Sequence, residues 1–305
     1  MGGGATVLRG GVLLVVGMPL LAGSALSCNR DAPAVPAPAA VVAPKVTGPT
    51  PDRVVTFKQV GDVSLSLHVF EPRGDPPVTG RPAFVLFHGG AWSEGSPRDY
   101  YRHCAELASA GVAAFCAEYR VSKRHHTTPW EAVRDGKSAV RWVRAHAREL
   151  GVDPQRVIAA GASAGGHVAA CAALIDGLDE ADEDRSISSR PDALVLFFAV
   201  VDTSPTEGFG ADVLGPRYRE LSPREHIRAN LPPTIMFHGT VDHVMPHATV
   251  ERFCAEMRRH DNPCELLSHS GRGHTFMNPD EPSSDYTDVM TRTLRFIRTL
   301  EHARR

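Results

Sequence analysis

From residue 53 onward the chain alternates between two hydrophobic rhythms. Residues 83–88, 113–119, 156–160, 193–198 and 234–238 form short, nearly continuous apolar runs, the pattern of strands buried on both faces. Between them, residues 100–109, 131–150, 166–178 and 248–259 carry helical patterning. Gly151 closes the second of these segments and Asn262-Pro263 follows the fourth, both helix-stop signals. Residues 264–268 predict a last short strand and 284–302 a closing helix. Ahead of them all, 54–59 and 63–70 flank Gly61-Asp62, which predicts two antiparallel strands joined by a tight turn. Buried strands alternating with helices imply an α/β fold: an open, mostly parallel sheet of about eight strands with helices on both faces. The polar, proline-containing stretches 177–192 and 202–231 are expected as cap-like insertions beside the carboxyl ends of strands, where ligands bind in such sheets.

The N-terminal 52 residues do not share this rhythm. One cation, Arg9, precedes the apolar stretch Val12 to Leu21, which Gly17 and Pro19 interrupt. A membrane span needs about 20 apolar residues, so this stretch reads as an export signal over 1–27. The small residues 22–27 ahead of Cys28 resemble a bacterial lipoprotein cleavage site, with Ala25 where a leucine is usual. That resemblance implies lipidation of Cys28, with simple secretion as the alternative, and an extracytoplasmic protein in either case. Residues 28–52, rich in Ala, Pro and Val, read as an extended spacer that buries no core. The folded domain is then 53–303.

Composition narrows the function classes. With 305 residues, 42% hydrophobic and 22% charged, the chain is an ordinary globular one, and 24 Pro with 27 Gly and no visible period argue against coiled coils and repeat arrays. A formal charge of −2 argues against binding nucleic acid through its phosphates. Of 6 cysteines, acylation of Cys28 would leave an odd number, so at least one free thiol. Cys171, on an Ala-rich helix face, is expected to be that thiol, while Cys254–Cys264 and Cys104–Cys116 are candidate bridges.

Candidate chemistry sits at four strand ends. Gly161-Ala162-Ser163-Ala164-Gly165 follows the strand at 156–160 and opens a helix, the context of a nucleophile elbow in which small neighbours permit a tight turn that exposes Ser163. No lysine follows these glycines, so a phosphate loop fits poorly. His88-Gly89-Gly90-Ala91-Trp92 follows the strand at 83–88; the N–H groups of Gly89 and Gly90, with that of Ala164, are expected to form an oxyanion hole. His238-Gly239-Thr240-Val241-Asp242 puts a carboxylate after a late strand, with Asp202 as its rival, expected instead as a loop or cap residue. Gly273-His274 follows the last strand and supplies a base; its competitor His269 is expected at the surface. Ser163, Asp242 and His274 stand in the chain order of an α/β-hydrolase triad.

On these motifs the chain resembles the α/β-hydrolase superfamily over about residues 53–303, and within it the secreted acetyl-esterase, feruloyl-esterase-like and hormone-sensitive-lipase-like group. Ala91 stands where the lipase pattern has a third glycine and Ala162 where it has Asp, which brings the match closer to the esterase branch. The resemblance implies an α/β-hydrolase fold and a serine ester hydrolase acting on small esters or on acetylated or feruloylated carbohydrate, without a cofactor. An oligopeptidase-like enzyme and a non-catalytic binding protein on the same scaffold are the alternatives. His88, Trp92 and Phe276 are expected to touch substrate, although core packing fits an aromatic beside a Gly turn equally well. No metal is expected: Pro246 interrupts the spacing of His243 and His247, and no Cys or carboxylate cluster completes a site. The acidic run 179–184 reads as a solvated loop, and Trp130 as a core or staple residue. Oligomeric state is not legible.

Overall fold

The computed structural model describes Met1 and residues 48–278, 280–281 and 284–302; the expected export signal beyond Met1, Cys28 and most of the expected spacer lie outside the described residues. The described residues from Gly48 onward form one compact unit. In chain order its elements are β1 (Arg53–Val60), β2 (Val63–Phe70), β3 (Arg81–Phe87), α1 (Tyr101–Ser109), β4 (Ala113–Ala117), α2 (Ser122–His125), α3 (Pro129–Ala145), α4 (Ala147–Leu150), β5 (Val152–Ala162), α5 (Ala164–Leu174), β6 (Ala193–Phe197), α6 (Ala211–Leu214), β7 (Thr234–Gly239), α7 (His247–Arg259), β8 (Cys264–His269) and α8 (Tyr286–His302).

The eight strands form one sheet in the order β1-β2-β4-β3-β5-β6-β7-β8. β2 runs antiparallel to both neighbours and every other pairing beyond it is parallel. Alternate strand residues feed two cores. Val85, Phe87, Phe115 and Ala159 face the layer that holds Val140, Val168 and Phe253 of α3, α5 and α7. Phe84, Leu86, Cys116 and Ile158 face the layer that holds Leu107 of α1 and Val289 of α8. Burial on both faces is why these strands read as unbroken apolar runs.

The topology also places the site. From β3 the chain leaves through α1 to β4 on one side, and from the adjacent β5 it leaves through α5 to β6 on the other. At such a switch point the loops diverge and open a crevice at the carboxyl ends of the strands. The two loops that flank it here are the ones carrying Gly89-Gly90 and Ser163.

Local chemistry moves several boundaries. α3 starts at Pro129 because Thr128 and Glu131 form a capping box, and it stops at Ala145, ahead of the separate turn α4. α5 occupies Ala164–Leu174 and not 166–178, since the chain enters it straight from Ser163 and turns extended at Ile175.

Three further expectations are corrected. Residues 177–192 lead from α5 into the start of β6 and run along α3, leaving 202–231 as the insertion beside the carboxyl ends. The acidic run in it is a solvated loop only at Asp182 and Asp184: Asp179 and Glu183 pair with Arg141, and Glu180 bridges Lys58 and Arg120, both of which also hold buried Asp135. The basic groove along α3 attracts these carboxylates. Among the cysteines, Cys254 and Cys264 form a disulfide between α7 and β8, with Cα atoms 5.5 Å apart. Cys104 and Cys116 remain thiols, each filling the apolar layer beneath α1 as a small hydrophobe, and Cys171 is free and buried.

Candidate active site

Ser163 sits at φ 53°, ψ −119°, between the last residue of β5 and the first of α5. This strained conformation is held by its own backbone: its N–H donates to the Phe197 carbonyl at 3.0 Å, and its carbonyl accepts from Val200 at 3.2 Å and His167 at 3.1 Å. Gly165 is required next to it, because a Cβ there would overlap the carbonyls of Phe87 and His88. The turn lifts a half-buried serine out of an otherwise buried stretch and sets it at the positive end of α5.

His274 Nε2 lies 3.1 Å from Ser163 Oγ, and His274 Nδ1 lies 2.7 Å from Asp242 Oδ2. Asp242 can only accept, so Nδ1 carries the proton toward it and Nε2 accepts from the serine hydroxyl. The other Asp242 oxygen accepts from the amides of Val244 and Met245, at 2.8 and 2.9 Å. Burial opposes the charge of Asp242, but the hydrogen bonds from His274 and from these amides outweigh it and lower its pKa. His238, whose Nε2 donates to the Met245 carbonyl at 2.8 Å, braces the same loop from below. Three side chains separated by up to 111 positions in the chain therefore converge at one rim of the sheet.

The loop after β3 runs directly against the serine: a Cβ built on Gly89 would sit 3.5 Å from Ser163 Cβ. Gly90, at φ +115°, leaves no room for a side chain, since its Cβ would strike the Glu94 carbonyl. Ala164, as the first residue of α5, has no intrahelical acceptor for its N–H. The N–H groups of Gly89, Gly90 and Ala164 thus lie on loops that meet at Ser163.

The three expected substrate contacts turn out to be enclosed. His88 is fully buried, its Nδ1 donating to the Gly89 carbonyl at 2.7 Å and its ring stacked on Tyr119. Trp92 is 2% exposed; its Nε1 donates to His167 Nδ1 at 3.2 Å, and it packs on Phe209. Phe276 is 8% exposed, set against Phe198 and His269. Filled surroundings make these three supports of the site instead of its lining. His269 is likewise no surface residue: it lies in that aromatic contact and faces Asp285 at 3.5 Å. Asp202 is buried, pairs with Arg224 at 2.8 Å and anchors the 202–231 insertion, far in role from the His274 partner.

Some residues that shape the site escaped the motif reading. Phe198, at φ 37°, sets its edge against the His274 ring, with centroids 4.9 Å apart. His167, four residues past Ser163, joins Trp92 to the insertion by donating from Nε2 to the Leu221 carbonyl at 2.7 Å. Its place one helical turn beyond the serine was the available signal. His247 points to Ser268 and Glu251, and among the described residues no cluster of three metal-ligating side chains occurs.

Comparison with known proteins agrees with this architecture. The BD-FAE family model matches residues 69–257. Esterase LipC of Mycobacterium tuberculosis is 31% identical over 227 residues, covering 67% of this chain and 55% of that protein. The chain spans about half the length of the curated relatives it matches first, 48% and 55%. Two structures of Thermogutta terrifontis esterase 2 superimpose with a TM-score of 0.77, covering 81% of this chain and 94% of theirs: one phosphoramylated by tabun, at 40% identity, and one with propionate bound, at 39%. With a family model spanning more than half its length and the fold of an esterase over four fifths of it, the chain belongs to the BD-FAE family, within the α/β-hydrolase superfamily.

Proposed function

We propose that this protein is an exported serine esterase that cleaves small carboxylic esters, either of short acyl groups or of acetylated or feruloylated carbohydrate, through an acyl-enzyme on Ser163. The observation that carries the reading is the continuous hydrogen-bond chain Ser163–His274–Asp242. In it, Ser163 Oγ attacks the ester carbonyl as its proton passes to His274 Nε2. Asp242 stays ionised, fixes the tautomer of the ring and stabilises the imidazolium. The N–H groups of Ala164, Gly89 and Gly90 receive the oxyanion. The imidazolium then protonates the leaving alcohol oxygen, and a water deprotonated by the same ring attacks the acyl-serine, releasing the acid and restoring the hydroxyl.

The propionate seen on the Thermogutta enzyme supports a short acyl group, and its modification by tabun supports an activated nucleophile of the same kind here. The Cys254–Cys264 disulfide supports an oxidising compartment, reached as a lipoprotein anchored at Cys28 or as a secreted protein. The test is a panel of p-nitrophenyl esters of increasing acyl length beside acetylated xylan and a peptide amide. Ser163→Ala is expected to lower ester turnover on the order of 10⁴–10⁶-fold. Undiminished turnover in that variant would remove Ser163 as the nucleophile, and preference for the amide would overturn the ester assignment.

A further inference from the structure

We infer that the cavity flanking His274 receives the alcohol half of the ester, and that His103 in its wall hydrogen-bonds a free hydroxyl there, so that esters of diols and polyols are the favoured substrates. The inference rests on the serine-esterase reading above and specifies which alcohols that site takes.

Position is the first ground. A cavity of about 220 Å³ is bounded by Asp99, Tyr100, His103, Phe198, Thr275 and Asn278. Two of these adjoin the reacting centre. Phe198 touches the His274 ring and follows the residue whose carbonyl holds the Ser163 N–H, and Thr275 is the next residue after His274. Since His274 delivers the proton to the departing oxygen, the alcohol must leave on the side of that ring, and this cavity adjoins the ring through Phe198 and Thr275. A space of that size takes a small alcohol or a single ring.

The second ground is an unspent pair of polar atoms. His103, on the inner face of α1, is 2% exposed, and neither its Nδ1 nor its Nε2 has a hydrogen-bond partner among the described residues. The other enclosed imidazoles around the site each spend at least one nitrogen: His88 on Gly89, His167 on Trp92 and Leu221, His238 on Met245. Buried polar atoms are seldom left unpaired, and an imidazole in a cavity wall that carries two of them offers a ligand atom a place to complete the pairing. Burial lowers the pKa of His103 to about 3, with Arg102 adding to the effect, so the ring is neutral and offers one donor and one acceptor. A hydroxyl can meet either nitrogen, accepting from the N–H or donating to the bare nitrogen. A carboxylate lacks a proton to give and would meet Asp99 in the same wall.

Butyl propanoate and 3-hydroxypropyl propanoate differ only in a terminal methyl replaced by hydroxyl, and they test this directly. The wild-type enzyme is expected to favour the hydroxypropyl ester in kcat/KM by about tenfold, the scale of one satisfied buried hydrogen bond plus the cost of leaving His103 unpaired. His103→Phe is expected to lower that ratio about tenfold, mainly through KM, and His103→Gln, which keeps a donor and an acceptor, to retain part of it. A wild-type ratio at or below one overturns the proposal without any variant, and so does a ratio indifferent to residue 103. Turnover of both esters that depends on Ser163 but shows no such preference removes the alcohol subsite alone. Absence of Ser163-dependent turnover removes the esterase reading and the subsite with it.

Discussion

Backbone amides cannot be deleted by mutation, so the side chains that aim them are where an oxyanion site can be probed one residue at a time. His88 is such a side chain. Its Nδ1 donates to the Gly89 carbonyl, and since a trans peptide points its N–H opposite to its C=O, this bond turns the Gly90 N–H away from the buried ring. Burial, opposed in part by that same bond, brings the pKa of His88 down to about 4, so the ring acts as a neutral donor. Its position is fixed by stacking on Tyr119, whose hydroxyl donates to the His88 carbonyl at 2.8 Å. His88→Phe should keep the stack and lose the donor. The expected result is a fall in kcat of about 10–10²-fold, less than the 10²–10³-fold for outright loss of an oxyanion donor. KM should change little, because the amide binds the oxyanion more strongly than the ground-state carbonyl. His88→Asn, with an amide donor close to the place of Nδ1, should recover part of the loss. A folded His88→Phe enzyme with unchanged kcat would reduce His88 to packing.

Among the elements, α7 and β8 are joined covalently. The Cys254–Cys264 bridge closes a segment with a sequence separation of 10, for which chain-entropy reasoning gives about 2–3 kcal/mol of stability. Reduction, or Cys254→Ser, should therefore lower the Tm by roughly 5–10 °C. A Tm insensitive to reductant would show that the two elements are held by packing alone. That this pair could be read from the chain, and Cys104–Cys116 could not be excluded from it, illustrates what patterns convey. Spacing brings two cysteines within reach, but only packing decides whether their sulfurs meet or fill an apolar layer. The strands were legible because burial on both faces leaves an uninterrupted apolar run, and the positions of Ser163, Asp242 and His274 were legible because each follows such a run. Helix ends were less so: the Thr128–Glu131 box and the backbone of Ser163 set them through local hydrogen bonds and dihedral angles that hydrophobic periodicity does not register. The carboxylates of 179–184 look solvated until β1, the segment after β4 and α3 bring Lys58, Arg120 and Arg141 to Asp179, Glu180 and Glu183. Phe198 and His103 carried no mark at all, since the cavity they line exists only once α1, β6 and the segment after β8 have packed together.

At the scale of the whole molecule, enclosed imidazoles couple folding to pH. Burial lowers the pKa of His88 and His167 to about 4 and that of His103 to about 3, from an ordinary value of 6.5. Between 6.5 and the folded values, the unfolded chain binds protons that the fold refuses, so stability rises with pH across this window and falls as the medium is acidified. Each pKa unit is worth about 1.4 kcal/mol, which puts each histidine at a few kcal/mol by pH 4, a sizeable fraction of the roughly 5–15 kcal/mol that holds a domain together. Carboxylates act lower: Asp242, with its pKa lowered by His274 and two amides against the opposing effect of burial, withdraws its contribution only as pH drops below about 4. The urea midpoint is thus expected to fall steadily from pH 7 to pH 4.5, before carboxylate protonation sets in, and His103→Phe should flatten the slope by removing one of the largest contributors. The three do not share the same access to solvent. His88 and His167 are locked by hydrogen bonds into packed surroundings, whereas His103 borders a cavity that water can enter. A midpoint that stays level over this range would mean that the folded protein takes up these protons after all, and His103, which lines that cavity and has neither nitrogen paired among the described residues, is the imidazole best placed to do so.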